Sequence, residues 1–146
     1  IYAALRRLSA DDERRQEELR ELGLNGFSVD EHGNMYFTIP SLFAAFRMSP
    51  DGELAGFGKA GSGLGKFGVT GGIVTDETGH IYVSDRLRCV VLIFDHSFEF
   101  QTEFGYRGGA PSNLIAPDDL AIDGNGDVYV GQAANRGVSV FRVVHK

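Results

Sequence analysis

Two adjacent carboxylates, Asp118 and Asp119, follow Pro117 and are the acidic pair best placed to hold a metal ion. Carboxylate oxygens are the ligands that hard cations such as Ca²⁺ and Mg²⁺ prefer. The same pair can instead be an ordinary loop in which aspartates accept hydrogen bonds from backbone amides. The sequence therefore predicts either a divalent-cation site at Asp118 and Asp119 or a structural turn there.

A glycine-rich segment, residues 61–68 (GSGLGKFG), fits the pattern G-x-G-x-x-G. That pattern binds phosphate only between a strand and the N-terminus of a helix. Apolar strand-like segments flank this one, and Lys66 is followed by Phe67 rather than by Ser or Thr. We therefore predict a connector between strands and no phosphate site.

The other residue types that carry chemistry are scattered. The single cysteine, Cys89, precedes Val90 and Val91, which predicts a buried and unreactive thiol. The histidines show no metal-ligand spacing on a shared face, so we expect no zinc site among them. They are His32, His80, His96 and His145. No nucleophile–base pair is evident either.

The predicted connections between strands are expected to be exposed loops, and they hold the better binding candidates. Arginine and tyrosine are enriched in protein interfaces, and here an aromatic residue lies among positive charges. The candidate partner-binding residues are Arg86, Arg88, Tyr106, Arg107, Asn113 and Arg136.

An internal repeat organises the chain from Leu24 onward. The same pattern occurs three times, in segments 26–37, 72–83 and 119–130. In each, a short predicted strand ends at an aspartate, a polar turn with glycine follows, and the next strand alternates apolar and polar residues and contains a tyrosine. Apolar third strands follow in all three units, and fourth strands follow in the first two. Units of four short strands at a period of 46 or 47 residues predict the blades of a β-propeller.

These residues carry a family resemblance. The segment 72–105 resembles an NHL repeat, and the third unit is similar to it. The resemblance implies an all-β propeller with one repeat per blade, in which protein–protein interaction is the expected role. The aspartate of the family after the tyrosine strand is present as Asp85, but Ile39 and Gln132 replace it in the other units.

The predicted organisation is an N-terminal segment (1–23) with a charged α-helix, followed by three NHL-like blades at about 24–58, 70–105 and 117–146. Repeat alignment places Asp118 and Asp119 at the start of an innermost strand, near the mouth of the propeller channel. Three blades do not close a ring. We therefore expect either a half ring, completed by a second copy or another protein, or a piece of a longer propeller, since the chain begins at Ile1.

Composition narrows the function classes. Fourteen basic and 20 acidic residues give a net charge of −6, which disfavours nucleic-acid binding. No apolar run approaches the length of a membrane span. Repeats of this kind often belong to exported proteins, which favours an extracytoplasmic location. The expected function is a non-enzymatic scaffold without a cofactor. The alternative is a metal-dependent lyase or hydrolase at the channel mouth, as in some NHL-like propellers, which requires a divalent cation.

Overall fold

Eleven strands in residues 23–145, the part of the chain that the computed structural model describes, form three antiparallel sheets. Sheet 1 contains β1 (Phe27–Val29), β2 (Met35–Ile39), β3 (Ala44–Met48) and β4 (Leu54–Phe57). Sheet 2 contains β5 (Thr70–Thr75), β6 (Ile81–Asp85), β7 (Val90–Phe94) and β8 (Phe100–Gly105). Sheet 3 contains β9 (Leu120–Ile122), β10 (Asp127–Gln132) and β11 (Gly137–Arg142).

The element content agrees with the sequence prediction in most respects. A single 3₁₀ turn, Pro40–Leu42, is the only helical element of the described residues, and no helix in that range could cross a membrane. The predicted N-terminal α-helix lies outside the described residues. Sheet 3 has three strands within residues 23–145, in agreement with the prediction that fourth strands follow only in the first two units.

The predicted polar turns join the first two strands of each sheet. Asp76 shows the pattern: its Oδ1 accepts hydrogen bonds from the backbone N–H groups of Thr78 and His80, both at 2.9 Å. Gly79 then takes φ +89°, a left-handed conformation that favours glycine. The same turn recurs at Asp30 and Asp123, because these bonds are local and each repeat carries the residues that make them.

The first strands of the three sheets lie against one another through glycines. A Cβ atom on Gly26 would lie 2.3 Å from the carbonyl oxygen of Gly71, and one on Gly72 would lie 2.6 Å from that of Asp118. Gly72 N–H donates to this Asp118 carbonyl at 2.9 Å. Only glycine permits this approach, so these positions bring the inner strands together.

Two apolar cores lie between the sheets. Tyr36 and Ala45 of sheet 1 pack with Ile73, Val83 and other residues of sheet 2. Val91 and Ile93 on the opposite face of sheet 2 pack with sheet 3, where Val128 and Val130 are buried. β6 and β7 are buried along their whole length, because sheet 2 is covered on both faces. Cys89 is buried, as predicted.

The loops divide between the two ends of the strands. The hairpin end holds the turns between first and second strands and between third and fourth strands. The connector end holds the turns between second and third strands and the long connections between sheets. The glycine-rich segment 61–68 lies at the connector end, between β4 and β5, and a bridge between Ala60 and Phe67 holds it without any helix. It is a connector, as predicted.

Candidate functional site

Asp85 organises the connector end of sheet 2. Its buried carboxylate accepts four backbone N–H groups, from Gly68 at 2.6 Å, Val69 at 3.1 Å, Leu87 at 3.1 Å and Arg88 at 3.0 Å. These bonds fix the connector from sheet 1 and the β6–β7 turn to each other. The role of this carboxylate is therefore to shape the surface on which the predicted binding residues lie.

Arg88 lies inside this scaffold, although the sequence predicts an exposed loop residue. Its guanidinium forms a bidentate pair with Glu103, at 2.7 and 2.6 Å, and donates to the Lys66 carbonyl at 2.7 Å. The two side chains are only 9% and 1% exposed. The expectation that Arg88 is exposed is wrong, because its guanidinium binds the buried carboxylate of Glu103 on the neighbouring β8. The hydrogen bonds to Glu103 raise the pKa of Arg88, so the guanidinium stays charged.

The other five predicted partner-binding residues fall into two groups. Arg136 donates to the carbonyls of Gly109, Ala110 and Asn113, and the Asn113 side chain caps the same connector, so both hold the chain between β8 and β9. Three residues keep exposed side chains at the connector end: Arg86, Tyr106 and Arg107. Partner binding by these residues stays a prediction.

Tyr106 borders an apolar groove at the same end. The groove lies between the β2–β3 and β6–β7 turns, and the exposed side chains of Phe43 and Leu87 line it together with Tyr106. The Tyr106 hydroxyl donates to Glu103 at 3.3 Å, which connects the groove wall to the buried ion pair. Aromatic and aliphatic groups that share one recess are the usual anchors of protein interfaces.

Asp118 and Asp119 begin the segment that leads into β9, as the repeat predicts. Neither carboxylate accepts a hydrogen bond from the residues described. The Asp118 backbone bonds to Gly72 of sheet 2 and to Gly131 of sheet 3, and the Asp119 carbonyl accepts the Gly131 N–H. Both residues line one open recess, which Arg86 also lines. The equivalent positions in the other sheets are Asn25-Gly26 and Gly71-Gly72, so these two acids are the only carboxylates at this level in residues 23–145.

The hairpin end brings together side chains that the sequence does not associate. His145, beyond β11, stacks on His80 of the β5–β6 turn, with ring centroids 3.7 Å apart and planes at 7°. Asp76 Oδ2 is 3.4 Å from His80 Nδ1 and 3.4 Å from His145 Nε2. The Tyr82 hydroxyl is 2.8 Å from this carboxylate and 2.8 Å from His145 Nε2. The prediction that no two histidines share a face is therefore wrong.

Electrostatics in this cluster follow from burial and hydrogen bonding. Burial by itself would raise the pKa of Asp76, but hydrogen bonds from Thr78, Tyr82 and the His80 backbone lower it below the ordinary value. Burial, with Asp76 nearby, raises the pKa of Tyr82 well above its ordinary value. Asp76 is thus a stable anion and Tyr82 a neutral donor throughout the physiological range.

Sheet 3 has an open apolar face. On the side away from sheet 2, Val138 is 64% exposed, Val140 is 55% exposed and Tyr129 is 36% exposed. β11 pairs with β10 along one edge only, and no described strand pairs with its other edge. In sheets 1 and 2 the third strand is covered there by β4 and β8.

Comparison with known proteins reveals the fold but no family. No protein-family model matches the sequence, and no curated protein is similar enough to match it. Among solved structures, a catalytically inactive virginiamycin B lyase from Staphylococcus aureus with quinupristin has a TM-score of 0.59 and 14% identity, over 86% of this chain and 43% of that one. A streptogramin B lyase has a TM-score of 0.60 and 14% identity, over 84% of this chain and 41% of the lyase. A protein assigned as a gluconolactonase has a TM-score of 0.61 and 18% identity, over 82% of this chain and 44% of that protein.

These solved structures are β-propeller proteins, and the three sheets of this chain have the same fold. At such identities the likeness shows the fold alone. The chain spans less than half the length of each of the three proteins.

Proposed function

We propose that this chain is a non-enzymatic NHL-type propeller module that functions by assembly, and that a second copy packs on sheet 3 to complete the ring. The open face and edge of sheet 3 carry the proposal. Exposed valines on a strand whose second edge pairs with no described strand are costly to leave in water and prone to unwanted pairing, so a native partner is expected to cover them. Because the chain spans 41–44% of the three propellers, two copies approximate one complete ring.

Light scattering at low micromolar concentration tests the assembly. The expected mass is twice 15.9 kDa. Val140→Glu places a charge at the centre of the open face and is expected to yield monomers. Leu64→Glu is the matched control, because Leu64 is exposed on a connector away from sheet 3 and its change leaves the dimer intact. A wild-type monomer that unfolds cooperatively, or a Val140→Glu variant with the wild-type mass, refutes the proposal.

The connector end is the proposed docking surface for a protein partner of the completed ring. The exposed Arg86, Tyr106 and Arg107 beside the groove of Phe43 and Leu87 support this assignment, since arginine and aromatic side chains dominate binding energies at interfaces. Asn113, Arg136 and Arg88 contribute by holding this surface in shape.

A metal-dependent lyase or hydrolase is the second candidate. Its support is that Asp118 and Asp119 line one recess and that neither carboxylate accepts a hydrogen bond from the described residues, together with the propeller lyases of similar fold. Calorimetric titration with Ca²⁺, Mg²⁺ and Mn²⁺ tests it. A site lost in Asp118→Asn and in Asp119→Asn supports the enzyme, and no heat above that of the double variant refutes it.

A further inference from the structure

The cluster of Asp76, His80 and His145 offers one carboxylate oxygen and two imidazole nitrogens, all within 4.8 Å of one another. Zn²⁺ binds nitrogen at 2.0–2.1 Å and carboxylate oxygen at about the same distance, which places neighbouring ligands of a tetrahedron about 3.4 Å apart. The two oxygen–nitrogen distances here are both 3.4 Å. From this geometry we infer that Asp76, His80 and His145 form a binding site for Zn²⁺ or a similar borderline transition metal.

The setting of the cluster favours a cation. Asp76, Glu77 and Asp123 line the adjoining cavity, and no lysine or arginine is among its described lining residues. The side chains of Asp76, His80 and His145 are 10%, 21% and 32% exposed. A metal can therefore enter from solvent and still meet partly dehydrated ligands. Imidazole with carboxylate is a donor set that suits zinc.

Metal binding requires two local changes that the structure permits. A metal lies near the plane of each imidazole that binds it, so one ring must turn out of the stack. His145 is the more exposed of the two, so it is the ring that can change rotamer towards solvent. The nitrogens that face Thr78 and Tyr82 must also exchange their protons for the metal, which a shift to the other neutral tautomer achieves.

The site would tie sheet 2 to sheet 3. Asp76 and His80 belong to the β5–β6 turn, whereas His145 follows β11. A metal held by both cross-links two sheets whose other contacts are packing and hydrogen bonds. Its predicted effect is stabilisation that depends on free metal concentration.

Zn²⁺ titration of tag-free protein, followed by calorimetry and by thermal unfolding, tests the site. We expect one equivalent to bind and raise the melting temperature. His80→Ala and His145→Ala each weaken binding by at least about tenfold, since changing even a residue that only supports a ligand costs this much. His32→Ala and His96→Ala are matched controls at exposed turns and leave binding unchanged.

Co²⁺ gives an independent readout, because ligation by these residues produces visible absorption of tetrahedral type. Binding and spectra that survive both His80→Ala and His145→Ala overturn the inference, as does a wild-type protein that binds Zn²⁺ no better than the double variant. His145 is partly exposed, so His145→Ala is expected to fold. A loss of metal binding in this variant can therefore be attributed to the missing ligand. The test is independent of the assembly proposal, because variants at Val140 leave all three ligands in place.

Discussion

Asp85→Asn tests whether one buried carboxylate organises the connector end. Asp85 Oδ1 accepts the N–H groups of Val69, Leu87 and Arg88, and Oδ2 accepts that of Gly68 at 2.6 Å. Asparagine has the same shape but only one acceptor oxygen. If the oxygen keeps its three partners, the new NH₂ group faces the Gly68 N–H, which leaves a buried donor without an acceptor.

The expected loss of stability follows from the number of hydrogen bonds that are lost or weakened. An unsatisfied buried donor costs about 1–3 kcal/mol, and the three remaining bonds lose their charged acceptor, a class worth about 1.5–3 kcal/mol against about 1 kcal/mol for neutral bonds. Allowing for relaxation, we expect Asp85→Asn to lower the free energy of unfolding by about 3 kcal/mol. For a chain of this length that corresponds to a fall in melting temperature of roughly 6–12 °C.

The assay is thermal and urea unfolding, followed by circular dichroism at one fixed protein concentration because assembly makes stability depend on concentration. Asp95→Asn is the matched control. Asp95 accepts the backbone N–H groups of Ser97 and Glu99 through Oδ1 in a surface turn, and asparagine keeps that oxygen. The control is expected to cost less than about 1 kcal/mol. Equal losses in the two variants would show that Asp85 is no more than another turn aspartate.

Three further predictions concern single interactions. Tyr82→Phe should cost at least about 1 kcal/mol more than Tyr106→Phe in urea unfolding, because both lose a hydrogen bond to a carboxylate but only Tyr82 is buried. Arg88→Met should lower stability by about 3 kcal/mol by leaving buried Glu103 unpaired; a loss below about 1 kcal/mol, the range of an exposed pair, contradicts a buried ion pair. Since the pKa of Asp76 lies below its ordinary value of 3.8 in the folded state, its stabilisation is complete above that value and is lost as pH falls through the folded pKa. Asp76→Asn should therefore flatten the decline in stability between pH 5 and 3, and an unchanged slope would exclude this carboxylate as a source of acid sensitivity.

Local chemistry made the sheets predictable. The turns at Asp30, Asp76 and Asp123 use a carboxylate that bonds to its own backbone and a glycine with positive φ, so residues within one turn determine them. Alternating apolar residues then specify which face of each strand is buried. The spacing of 46 and 47 residues between equivalent positions implies successive similar sheets, and residues 23–145 form three of them.

Contacts between sheets were not predictable from the same patterns. The Ser84 hydroxyl accepts the Gly72 N–H at 2.8 Å and donates to the carbonyl of Asp118 in the next sheet, and Thr38 makes the equivalent contacts with Gly26 and Gly71. The sequence does not indicate that a serine or threonine in an apolar strand forms hydrogen bonds to the next sheet. Arg88 was placed on the surface for a similar reason, because its partner Glu103 lies 15 residues away on another strand.

The histidine cluster shows how one repeat position can acquire new chemistry. Phe98 and His145 are separated by the same 47 residues as Gly79 and Gly126, and each reaches back to the preceding sheet. Phe98 lies 4.4 Å from the Arg47 guanidinium carbon and closes the boundary between sheets 1 and 2. His145 closes the next boundary against His80, whereas the position equivalent to His80 in sheet 1 is Asn34.

Only the second boundary within the described residues therefore has imidazoles on both sides of a repeat aspartate. The scaffold of the two boundaries is shared, since each has the same aspartate turn and the same tyrosine. At the first boundary Phe98 packs on Phe57 and Arg47. At the second, the histidine in the same repeat position lies against a carboxylate and another imidazole, so the equivalent position of the repeat forms a packing contact in one place and a candidate metal site in the other.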